Sequence, residues 1–255
     1  MNFVISANTD IGTVKSTNQD ALTIKTLNTP QGRMAFAVLC DGMGGLAKGE
    51  VASAAVIRAF EAWLPSKFAK MCDAPISESE ICEQWDRLVC TQNEAIGAYG
   101  SSNGFQLGTT VVAILITQTH YYILNVGDSR VYEIADTITQ LTSDQTFVAR
   151  EIALGNLSPE DAERDPRRNV LLQCVGASEE VHPEIIVGEA KTGAVYMLCS
   201  DGFRHEVALT ELYEKLQPDV LLSDADMHRN AAELIELVKQ RGEQDNISVA
   251  MIRTF

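Results

Sequence analysis

The run Ala35-Phe36-Ala37-Val38-Leu39-Cys40 constrains this chain more than any other stretch. Six apolar or small residues without alternation read as a strand buried on both faces. The run ends at Asp41-Gly42-Met43-Gly44-Gly45. A carboxylate therefore stands at the mouth of a rigid strand, and the glycines let backbone carbonyls approach whatever it holds. One Asp-Gly pair after a strand is an ordinary turn. Here the pattern recurs, because Asp20, Asp41, Asp128, Asp201 and Asp245 each abut an apolar strand-like run, far apart in sequence.

Converging at one edge of a packed sheet system, five carboxylates would repel one another and demand cations. All-oxygen ligation without a His or Cys set selects hard ions, Mg²⁺ or Mn²⁺, over zinc. Two such ions roughly 3.5–4 Å apart can make a bridging hydroxide and clamp a phosphoryl group.

Around these runs the pattern reads as mixed α and β. Strands are expected at residues 3–9, 21–26, 109–117, 121–126, 131–134, 184–189, 194–199 and 247–252. The three runs from 109 to 134 read as a β-meander ending at Leu141. Helices are expected at 49–64, stopped by Pro65, and at 79–99, with Ile81, Trp85, Leu88, Val89, Ala95, Ile96 and Tyr99 on one apolar stripe. Two more are expected at 210–216 and 227–241. Between 142 and 181 the strand pattern lapses. A short helix starts at Ser158-Pro159-Glu160, and Arg164, Arg167 and Arg168 cluster around Asp165-Pro166.

At 255 residues, 45% apolar and 22% charged, the chain is an ordinary globular sequence with room for a real core. Its formal charge of −15 disfavours nucleic acid and anionic membrane as partners. No basic-then-apolar signal peptide opens it and no apolar run approaches membrane-spanning length, so a cytoplasmic location is expected. The six cysteines show neither zinc spacing nor a Cys-x-x-Cys pair and read as reduced thiols.

Six motifs in order carry a resemblance: Asn18-Gln19-Asp20, Asp41-Gly42-Met43-Gly44-Gly45, Gly108-Thr109-Thr110, Gly127-Asp128-Ser129-Arg130, Ser200-Asp201-Gly202 and Asp245-Asn246. Together they resemble the signatures of bacterial type 2C, metal-dependent protein serine/threonine phosphatases over essentially the full length. The resemblance implies one catalytic domain over residues 1–255. Its fold is α+β, an antiparallel β-sandwich flanked by helix pairs with the metals at one end. It implies hydrolysis of phosphoserine and phosphothreonine through a metal-bridging hydroxide, on phosphoproteins supplied by a bacterial-type serine/threonine kinase. Asp41 would bridge two Mn²⁺ or Mg²⁺ ions, the Gly42 carbonyl would bind the second, and Asp201 and Asp245 would complete the first site. Asp20 would act through metal-bound water. Asp128 and Asp201 would line a third, weaker site, and residues 142–181 would be the flap beside the cleft. A phosphoprotein-binding pseudo-enzyme and a small-phosphoester hydrolase are the competing readings.

Three positions depart from the commonest pattern of that family. Lys15 stands where an arginine usually grips phosphate, and an ammonium cannot make the bidentate fork. Gln19 replaces a frequent glutamate. Met43 replaces a histidine proposed as the general acid. His205, four residues after Asp201, falls where relatives place a third-metal carboxylate, and is expected to ligate that ion or supply the missing proton.

Overall fold

Side-chain alternation sorts the strands into layers. In β3 (Gly32–Cys40), Met34, Phe36, Val38 and Cys40 face a helical layer, while Ala35, Ala37 and Leu39 face a second sheet. The computed structural model describes residues 1–43 and 48–255, so Gly44 and Gly45 of the glycine motif lie outside the described residues. β3 lies between β2 (Ala21–Thr29) and β4 (Val111–Ile116), and β5 (His120–Val126) and β8 (Glu184–Glu189) complete an antiparallel sheet ordered β2-β3-β4-β5-β8. The second sheet is ordered β1-β10-β9-β6-β7, from β1 (Phe3–Asp10), β10 (Ile247–Thr254), β9 (Val195–Cys199), β6 (Arg130–Ile134) and β7 (Ile138–Gln140).

Three apolar layers hold the stack together. Between the sheets pack Ala35, Ala37, Leu39, Ile114, Tyr196, Leu198 and Ala250, among others. Outside the first sheet lie α1 (Gly49–Trp63) and α3 (Glu78–Asn103), where Phe36, Phe60, Trp63 and Trp85 form an aromatic knot with centroids 5.8–6.2 Å apart. Each such buried ring contributes about 1.5–3 kcal/mol. Outside the second sheet lie α7 (Leu209–Leu216) and α8 (Asp224–Gln240), burying Leu212, Leu216, Met227, Leu234 and Val238. The order of layers is α-β-β-α, the sandwich with helix pairs that the family resemblance implies. All six cysteines are free thiols, and among the described residues no helix is long and apolar enough to cross a membrane.

Several boundaries differ from the sequence reading. Pro65 does not end its helix. Its missing N–H is absorbed by a π-helical turn, Leu64–Phe68, and the helix runs on through α2 (Ala69–Met71). α3 begins earlier, with Ser77 Oγ accepting from the Glu80 amide, and its Tyr99 is 49% exposed instead of lying in the core stripe. Strands β4, β5 and β6 are not a meander: β4 and β5 pair in one sheet, and β6 pairs with β9 and β7 in the other. Gly127, at φ 110°, turns the chain across the gap between sheets. Within residues 142–181 lies α4 (Phe147–Ala153), capped by Thr146, ahead of α5 (Pro159–Ala162), capped by Ser158.

Antiparallel pairing now explains the strand-end aspartates. The last residue of one strand faces the first of its neighbour, as in Ala21 opposite Cys40, Val111 opposite Val126 and Arg130 opposite Cys199. The residues just beyond these pairs collect at one rim of the sandwich.

Candidate metal centre and active site

Asp41 leaves β3 with its backbone clamped. Its amide donates to Thr110 Oγ1 (3.0 Å), and its carbonyl accepts from the Thr110 amide and Thr109 Oγ1 (2.9 Å each). The Gly108-Thr109-Thr110 motif is therefore a mount for Asp41. Gly42 is tied on either side, pairing with Thr109 and donating its amide to the Gln19 carbonyl (3.2 Å). Asp20 enters β2 beside Cys40, its amide donating to Asn18 Oδ1 (3.1 Å).

Asn246 organises the opposite wall. Its side-chain amide donates to the carbonyls of Ile11 (2.9 Å) and Thr17 (3.2 Å), and its Oδ1 accepts from the Gln19 amide (2.9 Å). That fastens the loop carrying Lys15 to the start of β10. Glu243 Oε1 accepts from the amides of Gln244 (2.7 Å) and Asp245 (2.9 Å), which sets Asp245 in place. Asp201 opens the four-residue helix α6 (Asp201–Arg204). A Cβ on Gly202 would run into the Asn246 carbonyl, so only glycine lets these two segments close up.

A cavity of about 290 Å³ is lined by Lys15, Asp41, Met43, Thr110, Asp128, Asn169, Leu171, Asp201 and Asp245. Five of the expected site residues share this lining. Asp20 lies just behind it, close enough to Asp41 for their charges to repel. His205 does not line the cavity. It lies on the wall of a neighbouring groove, with Nε2 3.9 Å from Asp201 Oδ2 and Nδ1 3.7 Å from Glu243 Oε2. Burial lowers its affinity for a proton, but Glu243 and Asp201 outweigh that and hold it above the ordinary histidine value.

The electrostatics of the rim are severe. Burial, then the charges of Asp20, Asp201, Asp128 and Asp245, push the Asp41 carboxyl well above the carboxylate range. Burial raises Asp20 to about 7, with Asp201 and Asp245 adding to the shift. The Ser248 and Ser200 hydroxyls oppose it from nearby, yet neither closes a hydrogen bond, and both Asp20 oxygens are buried without a partner among the described residues. Asp201 Oδ1 is in the same position. Asp128 is likewise raised to about 7, by burial and Asp201 against the pull of Arg204.

Buried orphan carboxylate oxygens in an all-oxygen donor set fit hard divalent cations. Among the described residues no three His, Cys, Asp or Glu side chains already close around one point. That is compatible with Mg²⁺ or Mn²⁺, which keep several waters and need few carboxylates each. The sequence reading assigned no role to Thr109, Thr110, Asn246 or Glu243. The first three lie inside quoted motifs, but only Asn246 stands next to an aspartate in the sequence. Glu243 carries no signal beyond its position two residues before Asp245.

The family described as Protein phosphatase 2C matches residues 13–245. The serine/threonine phosphatase stp of Listeria monocytogenes is 34% identical over 222 residues, 84% of this chain and 82% of that one. The crystal structure of the phosphatase Stp1 from Staphylococcus aureus superposes with a TM-score of 0.86 at 26% identity, covering 100% and 96% of the two chains. The catalytic domain of the serine/threonine protein phosphatase PstP, solved with two manganese ions, superposes with a TM-score of 0.76 at 30% identity, covering 99% of each. By its strand order, its rim of aspartates and this match along nearly its whole length, the chain belongs to the protein phosphatase 2C family.

Proposed function

We propose that this chain is a metal-dependent protein serine/threonine phosphatase that hydrolyses phosphoserine and phosphothreonine and counteracts bacterial-type serine/threonine kinases. One observation carries the reading: carboxylates from five separate strand ends meet at one rim, with both oxygens of Asp20 buried and unpartnered among the described residues. When bound there, Mn²⁺ or Mg²⁺ supplies Lewis-acid charge and an acidified water nucleophile for phosphate-ester hydrolysis. Asp41, Asp201, Asp245 and the Gly42 carbonyl are the residues that hold two ions, and Asp20 orients water beside them. Among the residues lining the cavity, Lys15 is the cation available to a substrate phosphate oxygen. Met43 on the same wall has no proton to give the leaving alkoxide. Residues 1–255 act as one catalytic domain. Residues 142–181 form its flap, contributing Asn169 and Leu171 to the cavity and held to α3 through Asn93, which bonds the Gly176 amide (2.7 Å) and Ser178 carbonyl (3.1 Å).

The test is phosphate release from a phosphothreonine peptide with and without Mn²⁺, wild type beside Asp201→Asn. Release that needs Mn²⁺ and falls by about 100-fold or more in the variant is expected. Equal release in chelator would overturn the reading.

A further inference from the structure

A row of alternating charge runs from the root of the flap to the metal cavity. Arg130 grips Asp144 through Nε–Oδ1 and Nη2–Oδ2, both 2.7 Å, and Arg130 Nη1 donates to the Tyr132 hydroxyl (2.7 Å). Arg204 comes next. Its Nη2 donates to the Asp128 backbone carbonyl (3.1 Å) and stands 3.6 Å from Asp144 Oδ2 and 3.7 Å from Asp128 Oδ2. The order Arg130, Asp144, Arg204, Asp128 alternates two guanidinium groups with two carboxyl groups. Asp144 is already satisfied by its bidentate partner, which leaves Arg204 as the counter-charge of Asp128.

Arg204 is not free to leave. Its side chain is only 10% exposed, and it follows Phe203, which is fully buried beneath the second sheet. A guanidinium also cannot shed its proton to make room for a metal. A divalent ion on Asp128 would face that fixed positive charge across a poorly solvated gap, where repulsion is weakly screened. His205, the residue expected to complete a third site, has its ring nitrogens turned to Asp201 and Glu243.

We propose that the Arg204 guanidinium takes the place of a third divalent ion at Asp128, so that the cavity of this chain loads with two ions and excludes another. The inference rests on the two-ion reading above and removes Asp128 and His205 from the set of metal ligands. Arg204 thereby becomes a positioning residue, holding Asp128 and linking the flap root to the cavity without a metal in between.

The experiment counts Mn²⁺ per chain by equilibrium dialysis with elemental analysis, under saturating Mn²⁺, for wild type, Asp128→Asn and Arg204→Ser. About two ions are expected in the wild type and in Asp128→Asn, with one more, weakly held, in Arg204→Ser. Three ions in the wild type, falling to two in Asp128→Asn, would overturn the inference while leaving the phosphatase reading intact. An Arg204→Ser protein that still takes up two would also overturn it. If that variant does not fold, the comparison of wild type with Asp128→Asn decides alone. No uptake by the wild type would mean the metal reading itself had failed, and this inference with it.

Discussion

Lys15 Nζ and Asp245 Oδ1 lie 2.8 Å apart at the mouth of the cavity, so the proposed phosphate-binding cation is held by a proposed metal ligand. Burial weakens the hold of the ammonium on its proton, but the Asp245 hydrogen bond and the charges of Asp245, Asp41 and Asp201 outweigh it. Lys15 thus stays charged in the cavity. On the proposed roles, a divalent ion held by Asp245 would compete with Lys15 for the same oxygen and free the ammonium for a phosphate, which would link the two events through one contact.

Lys15→Ala is accordingly expected to raise KM for a phosphothreonine peptide about 10-fold at saturating Mn²⁺, with a smaller change in kcat. Lys15→Arg, which can fork two phosphate oxygens, should lower KM to or below the wild-type value. Steady-state kinetics on the three proteins check this; an unchanged KM in Lys15→Ala would remove Lys15 from the binding site.

Asp20 makes stability depend on pH in chelator. Its folded value of about 7 lies above the ordinary carboxylate value of 3.8, so between these the folded chain binds the extra proton and ionisation costs stability as pH rises. Asp20→Asn, isosteric and neutral, should match the wild type near pH 4 and exceed it by a few kcal/mol above pH 7. Urea unfolding across that range in chelator reads the difference directly. A constant offset at every pH would mean the carboxyl is not perturbed.

Gly202→Ala pushes a methyl group into the Asn246 carbonyl. Asp201 and Asp245 must then separate, and Mn²⁺ affinity should fall about 10-fold or more while the far-UV circular dichroism stays native. Calorimetric titration with Mn²⁺ measures it, and wild-type affinity would show that the two segments have slack.

The Arg130–Asp144 pair is mostly buried, with side chains 23% and 15% exposed. Arg130→Met removes the bidentate partner of Asp144, leaving it Gln140 and, at 3.6 Å, Arg204, and should cost about 2–4 kcal/mol of stability. Adding Asp144→Leu should recover most of that loss, because an apolar pair replaces a buried charge that has lost its bidentate partner. Chemical unfolding of the single and double variants closes the cycle; additive losses would argue that the two residues act separately.

The parts of this molecule legible in the sequence were those set by local pattern. The unbroken run 35–40 announced a strand covered on both faces, and it is covered by α1 and α3 on one side and the second sheet on the other. Aspartates abutting apolar runs made a shared rim an option, and the antiparallel pairing that brings ends and starts together came only from the fold. Long-range choices were not legible. Nothing local distinguishes a β5-to-β6 turn that forms a hairpin from one that crosses to the other sheet. Nor does Arg204 advertise itself, since its partners Asp128 and Asp144 reach it only through tertiary packing. The family resemblance alone associates Asp128 and His205 with a third site, and the fold puts a guanidinium beside one and Glu243 beside the other.

The pairing of β1 with β10 has a kinetic consequence. Residues 3–10 have one strand neighbour, and it is 247–254, which also bridges to β9. Closing so long a loop is entropically slow. The same β10 follows directly on Asp245 and Asn246, which anchor the Lys15 loop. A growing polypeptide can therefore assemble β2 to β5 and their helical cover early, yet it has no working centre until β10 inserts between β1 and β9. The centre is complete only where the two most distant strands of the chain have paired.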